Sequence, residues 1–187
     1  MIEFKTNKIN GKVYMIITDA QILSMPFRNF EGRKSEYNAM GEKEFGVIIE
    51  DPEIAQQMAA DNWNVKTLTN RDGREYLYGI KTDGDDLHWI KIKVKYRTNK
   101  GEPTIPPTIK IRTANNEINY SEEDLKELDT ADLMDVDLKI NISKRVINGK
   151  PITTGYLSLM RATLIDDNYW FGSRNDDGGD NTPPFDI

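Results

Sequence analysis

In residues 88–97, HWIKIKVKYR, apolar and cationic side chains alternate from Ile90 to Arg97. A period of two is the mark of a half-buried β-strand. It places Ile90, Ile92, Val94 and Tyr96 on one face and Trp89, Lys91, Lys93, Lys95 and Arg97 on the other. Same-face residues of a strand stand about 6.6 Å apart, so the four cations form a row that a phosphate backbone could follow. TIKIRT at 108–113 repeats the pattern, with Ile109 and Ile111 opposite Lys110 and Arg112. LKINISKR at 138–145 sets Leu138, Ile140 and Ile142 inward and Lys139, Asn141, Ser143 and Arg145 outward. Outward lysine also deters edge-to-edge aggregation of strands. Yet none of these three outward sets contains a carboxylate, although the chain as a whole is acidic.

The flanking segments extend the β reading. KVYMIITDAQILS at 12–24 and EFGVIIED at 44–51 are rich in β-branched residues. Residues 75–82 and 87–97 are separated by DGDD, which suggests a hairpin. Residues 136–146 and 153–166 flank INGKP, whose Asn148 and Gly149 supply a second hairpin turn. Two short helices are expected. One starts at Asp51 as N-cap with Pro52 in the first turn, and one starts at Ser121 with acids behind it. Strands dominate and do not alternate regularly with helices, which favours a small antiparallel barrel over an α/β sheet and leaves a sandwich as the alternative.

The chain has 187 residues, a net charge of −6, no cysteine and one histidine, His88. Disulfides and thiolate zinc sites are therefore excluded, and a metal could be held only by carboxylates. No apolar run approaches a membrane span, and residues 1–12 lack the apolar stretch of a signal peptide, so a cytoplasmic protein is expected. The charge is segregated. From Asp166 onward six acids face one base, a net −5 that leaves the first 165 residues at −1. A nearly neutral body with cationic strand faces suits a polyanion better than the average charge suggests.

Rings near those cations matter because single-stranded nucleic acid is held by base stacking above a positive groove. Trp89 shares the cationic face. Phe27, Phe30 and Tyr37 lie in a basic loop with Arg28, Arg33, Lys34 and Lys43. Tyr76 and Tyr78 rank below Trp89, Phe30 and Tyr37 as candidate stacking platforms, while Trp63 reads as packing.

Residues 27–51, FRNFEGRKSEYNAMGEKEFGVIIED, with MAADNWNVK at 58–66 and residues 132–166, resemble phage-encoded single-stranded DNA-binding proteins of the oligonucleotide/oligosaccharide-binding (OB) fold. The resemblance implies a mainly β protein with a five-stranded barrel and additions, which binds DNA without sequence preference, without catalysis and without a cofactor. It implies that Arg28, Phe30, Arg33, Tyr37 and Lys43 line the DNA groove. The strand faces add Trp89, Lys91, Lys93, Lys95, Arg97, Lys110 and Arg112. A binding domain is expected over 1–168, and a flexible acidic tail over 169–187.

The tail ends DDGGDNTPPFDI and resembles the acidic C-terminal segment of bacterial single-stranded DNA-binding proteins. By that likeness Asp176, Asp177, Asp180, Phe185, Asp186 and Ile187 recruit replication or recombination proteins, with acids for basic pockets and two apolar anchors. A homodimer is possible and a membrane is not involved. The competing reading is a metal-dependent nuclease or recombination enzyme built on the acids between Asp129 and Asp137. A third is an interaction module that binds no nucleic acid.

Overall fold

A computed structural model describes residues 1–165, apart from Tyr37, Asn99 and Asn115. The domain boundary expected at 168 and the six named tail residues lie outside the described residues. The elements run β1 (Ile2–Thr6), β2 (Val13–Ile17), β3 (Arg28–Asn29), β4 (Lys43–Ile49), α1 (Pro52–Ala60), β5 (Lys66–Leu68), β6 (Tyr76–Leu77), β7 (Ile80–Lys81), β8 (Leu87–Val94), β9 (Thr108–Arg112) and β10 (Glu117–Asn119). A 3-10 helix (Asp124–Asp129), β11 (Asp132–Ile147) and β12 (Lys150–Ile165) complete them.

The main sheet follows the order β1-β2-β11-β12-β8-β4-β3. It closes because the chain beyond β2 bends across the gap. Ala20 N–H donates to the Val136 carbonyl at 2.7 Å, and Ile22 then bridges to Val47. The result is a five-stranded OB barrel of β2 with its extension, β4, β8, β12 and β11. The expected barrel is therefore present, but it is not wholly antiparallel, because β12 runs parallel to β8 and then to β9. Parallel neighbours require a long crossover, and residues 95–149 provide it.

The alternation in residues 88–97 fills this barrel. Ile90, Ile92 and Val94 are at most 3% exposed and pack with Met15, Phe45, Val47, Leu138, Ile140 and Met160. Burying each such side chain is worth about 1.5–3 kcal/mol. Helix α1 starts as expected. The Asp51 carboxylate accepts from the N–H groups of Glu53 and Ile54, and Ala55 and Met58 turn inward toward the core that Trp63 joins.

Two local expectations fail for identifiable reasons. Residues 75–82 do not pair with β8. They fold on themselves as β6 and β7 around Tyr78 and Gly79, both at positive φ, and β8 spends its edges on β4, β5 and β12. Nor does Ser121 cap an α-helix. Its N–H and hydroxyl both donate to Asp124, and the six-residue helix that follows is 3-10. The Asn148–Gly149 turn does form, at φ 51° and 76°, in the left-handed region that tight hairpins of this type require. It joins two 16-residue strands.

Candidate nucleic-acid interface

The outer wall of the barrel carries the candidate site. Strands β4 and β8 run antiparallel with Glu44 opposite Lys93, Gly46 opposite Lys91 and Ile48 opposite Trp89. Lys91, Lys93 and Lys95 do project from this wall in a row, but they are not bare. Lys91 reaches Glu44 at 2.5 Å, and Glu42 is gripped by Lys93 at 2.5 Å and Lys95 at 3.0 Å. Carboxylates absent from β8 arrive from the neighbouring β4 edge, which alternation along one strand cannot disclose. Burial alone would push the Glu42 carboxyl up, but the hydrogen bonds from Lys93 and Lys95 outweigh it and hold its pKa below the ordinary value. Glu42 is therefore ionised at neutral pH and holds both ammonium groups.

Trp89 shares the lysine face as expected, yet it is only 4% exposed. Residues 22–27 and β7 fold over it, making a small second core with Leu23, Ile48 and Ile80. Gly46 permits this cover, since a Cβ there would stand 2.9 Å from Leu23 Cδ1 and 3.0 Å from the Trp89 ring. The accessible rings are instead Phe27, half-buried with its centroid 5.0 Å from Trp89, and Tyr78, 43% exposed and edge-on to Phe27 at 4.7 Å. Lys66 on β5 lies 5.1 Å from the Trp89 centroid. A groove of about 370 Å³ runs between Phe27, Asn38, Lys66 and Lys91. A second hollow of about 450 Å³ continues along the same strands past Lys95 and Arg97 to Met40.

Several residues expected in the groove do other work. Arg28 is buried. Its guanidinium donates to the carbonyls of Leu23 (3.1 Å), Ile22 (3.2 Å), Leu128 (3.3 Å) and Ala131 (2.6 Å). Burial lowers its pKa, and Asp129 and Asp132 act the other way. Phe30 is fully buried and stacks on Phe45 at 4.8 Å. Both depart from the expectation because a two-residue β3 sinks into the barrel mouth instead of lying on its surface. Lys43 donates to the Phe30 and Glu31 carbonyls, and Arg33 pairs with Asp129 at 3.2 Å, so each holds the loop in place. The loop itself crosses between Gly32 and Gly41, where a Cβ on either would strike the other's carbonyl oxygen within 2.8 Å. Tyr37 lies outside the described residues. Lys110 and Arg112 project from β9, and both face Glu117 of β10.

Residues 6–170 match the family model described as "Putative phage ssDNA-binding domain". The chain belongs to this family. A comparison with curated protein sequences finds no match. Among solved structures the chain is similar to the single-stranded DNA-binding protein from bacteriophage Enc34. In its complex with ssDNA the identity is 11%, with 87% of this chain and 95% of that one covered at a TM-score of 0.47. A C-terminal truncation of the same protein gives 10% identity, 88% and 97% coverage and a TM-score of 0.45.

Three of the acids that a nuclease reading needs, Asp129, Asp132 and Asp135, border one groove, but several are engaged by the scaffold. Asp129 is buried and accepts the Phe30 N–H at 2.5 Å, Asp135 accepts from the Thr163 hydroxyl, and Asp137 from the Asp19 N–H. Among the described residues no three acidic or histidine side chains are grouped to hold a metal. His88 meets the Thr67 hydroxyl at 3.1 Å. Among the same residues no helix is long and apolar enough to cross a membrane.

Proposed function

We propose that the protein coats and protects transient single-stranded DNA, without sequence preference, during phage DNA replication or recombination in the host cytoplasm. The observation that carries this reading is a single wall of an OB barrel bearing Lys66, Lys91, Lys93, Lys95 and Arg97 beside the half-buried ring of Phe27 and the exposed ring of Tyr78, in a chain of a phage ssDNA-binding family. The lysines neutralise phosphates and the rings accept bases, whose stacking contributes about 1–3 kcal/mol each and tolerates any sequence. No bond is made or broken, and no cofactor is required. The acidic tail, with Phe185 and Ile187, would recruit replication or recombination proteins.

If about five phosphates are neutralised, log K falls against log salt with a slope near −3.5, at roughly −0.7 per phosphate of a single strand. Polarisation titrations of single-stranded and duplex oligonucleotides at several salt concentrations measure it. No binding, or a strong duplex preference, would refute the reading. Phe27→Ala/Tyr78→Ala is expected to weaken single-strand binding about 10- to 100-fold with the salt slope unchanged, since stacking releases no counterions. Removing residues 174–187 should abolish recruitment of partner proteins while leaving the domain folded. A pull-down from phage-infected cells that returns the same proteins with and without the tail would reduce the tail to a solubilising segment.

A further inference from the structure

The hairpin of β11 and β12 is polarised from end to end. At its root, Asp132 and Asp135 are exposed, and the adjoining groove of about 710 Å³ has a mixed lining whose apolar part includes Met25, Ile80, Leu133 and Met134. Four carboxylates line that groove (Asp19, Asp129, Asp132 and Asp135) against two cations, Arg28 and Lys81. At the tip the signs invert. Residues 143–154 contain three cations (Lys144, Arg145 and Lys150) and no acid, and Arg145 and Lys150 flank Val146 and Ile147, which are 72% and 51% exposed. Beyond Ile142 the ladder contacts of the two strands are with each other; Thr153 is tied to the end of α1 by donating its N–H to the Asn62 carbonyl and its hydroxyl to the Asp61 carbonyl, and Lys144 pairs with Asp61 at 2.6 Å, so the free tip is Arg145 to Lys150. The tip is thus an arm whose apolar side chains lack a partner among the described residues.

A basic tip with an apolar crest and an acidic groove with apolar side chains between its polar groups are complementary in charge and share apolar surface. They cannot meet within one molecule. Sixteen residues at about 3.3 Å each hold them roughly 50 Å apart on a paired ladder. The groove is also of a size that accommodates a compact ligand of a few residues, within the range of about 300–1,000 Å³. We infer that the hairpin tip of one copy, Arg145 to Lys150, docks in the groove at the hairpin root of a second copy. Such a contact joins two different surfaces, so it generates an open row of molecules unless its rotation closes a ring. The interaction stands independently of the DNA-binding wall, which lies on β4 and β8.

The test uses the full-length protein without DNA. Sedimentation velocity at low salt over the micromolar range should show mass rising with concentration without reaching a plateau at the dimer. Val146→Ser/Ile147→Ser is expected to lower the association constant at least about tenfold, as for loss of an interface anchor. Arg145→Glu/Lys150→Glu and Asp132→Lys/Asp135→Asn should each remain monomeric alone, because in each variant tip and groove carry like charge. Mixed together they should associate. Several results would overturn the docking: a wild-type monomer at every concentration, including one whose groove is filled by its own residues 166–187; a closed dimer; or failure of the mixture to associate when both variants melt as wild type. A loss of affinity for an oligonucleotide one site long, equal in the serine and glutamate variants and without change in self-association, would assign the tip to DNA and likewise overturn it.

Discussion

Replacing Arg28 with methionine is expected to cost the fold about 4 kcal/mol while leaving single-strand affinity within about twofold when compared at equal folded fraction. The guanidinium is buried and donates to four backbone carbonyls, on residues 22, 23, 128 and 131. Each buried carbonyl that loses its donor costs about 1–3 kcal/mol, offset in part by local relaxation and by water. Methionine fills much of the same volume, so the loss is one of hydrogen bonds and charge and not of a cavity. It also leaves Asp129, buried against the Phe30 N–H, paired with Arg33 but without the nearby Arg28 charge. Lysine should rescue little, because one ammonium cannot reproduce the planar fork. Urea unfolding followed by circular dichroism measures the loss. A variant as stable as wild type but unable to bind DNA would return Arg28 to the groove where the family resemblance placed it.

The second large effect concerns the lysine row. Lys93→Glu/Lys95→Glu places three carboxylates where Glu42 now sits between two ammonium groups. Two phosphate contacts are removed and repulsion is added. At about 1.5–2 kcal/mol for each charge-assisted contact, affinity at low salt should fall by two to three orders of magnitude. The salt slope should flatten by about 1.4, two phosphates' worth. Glu42→Gln should act in the opposite direction. With the competing carboxylate neutralised, both lysines lose one rival to phosphate, and affinity should rise about fivefold, the value of one partly exposed ion pair of about 1 kcal/mol. The pair of variants is diagnostic because opposite signs are expected from neighbouring positions. If Glu42→Gln weakened binding or left it unchanged in a protein that melts normally, the lysines would not be sharing themselves between Glu42 and phosphate.

The barrel strands were legible because alternation reports which face of one strand is buried, and that inference holds for Ile90, Ile92 and Val94, for Ile109 and Ile111, and for Leu138 and Ile140. The site was legible only in part. Polar alternation says that Lys91 and Lys93 leave the core, but not that β4 sets Glu44 and Glu42 beside them, which depends on register between segments some 45 residues apart. The same limit misplaced Trp89. It lies on the outer face, and only the return of residues 22–27 over Gly46 turns that outer position into an interior one. Phe27 and Phe30 sit three residues apart in one motif, and nothing local distinguishes the half-exposed ring from the fully buried one. Lys66 carries no periodic signal at all on a three-residue strand, and only its pairing opposite Trp89 reveals it.

Arg28 has one further implication, for how the chain acquires its shape during synthesis. Two of its acceptors lie 100 and 103 residues downstream, and the strands that complete the barrel wall are the last two described. While the chain emerges from the ribosome, the amino-terminal segment holds a cation with half its final acceptors still untranslated. Such distant pairings are slow to form and leave apolar strand edges open to neighbouring chains in the meantime. Yield in a rapid expression system should therefore depend on the translation rate of the last third of the message more than on that of the first.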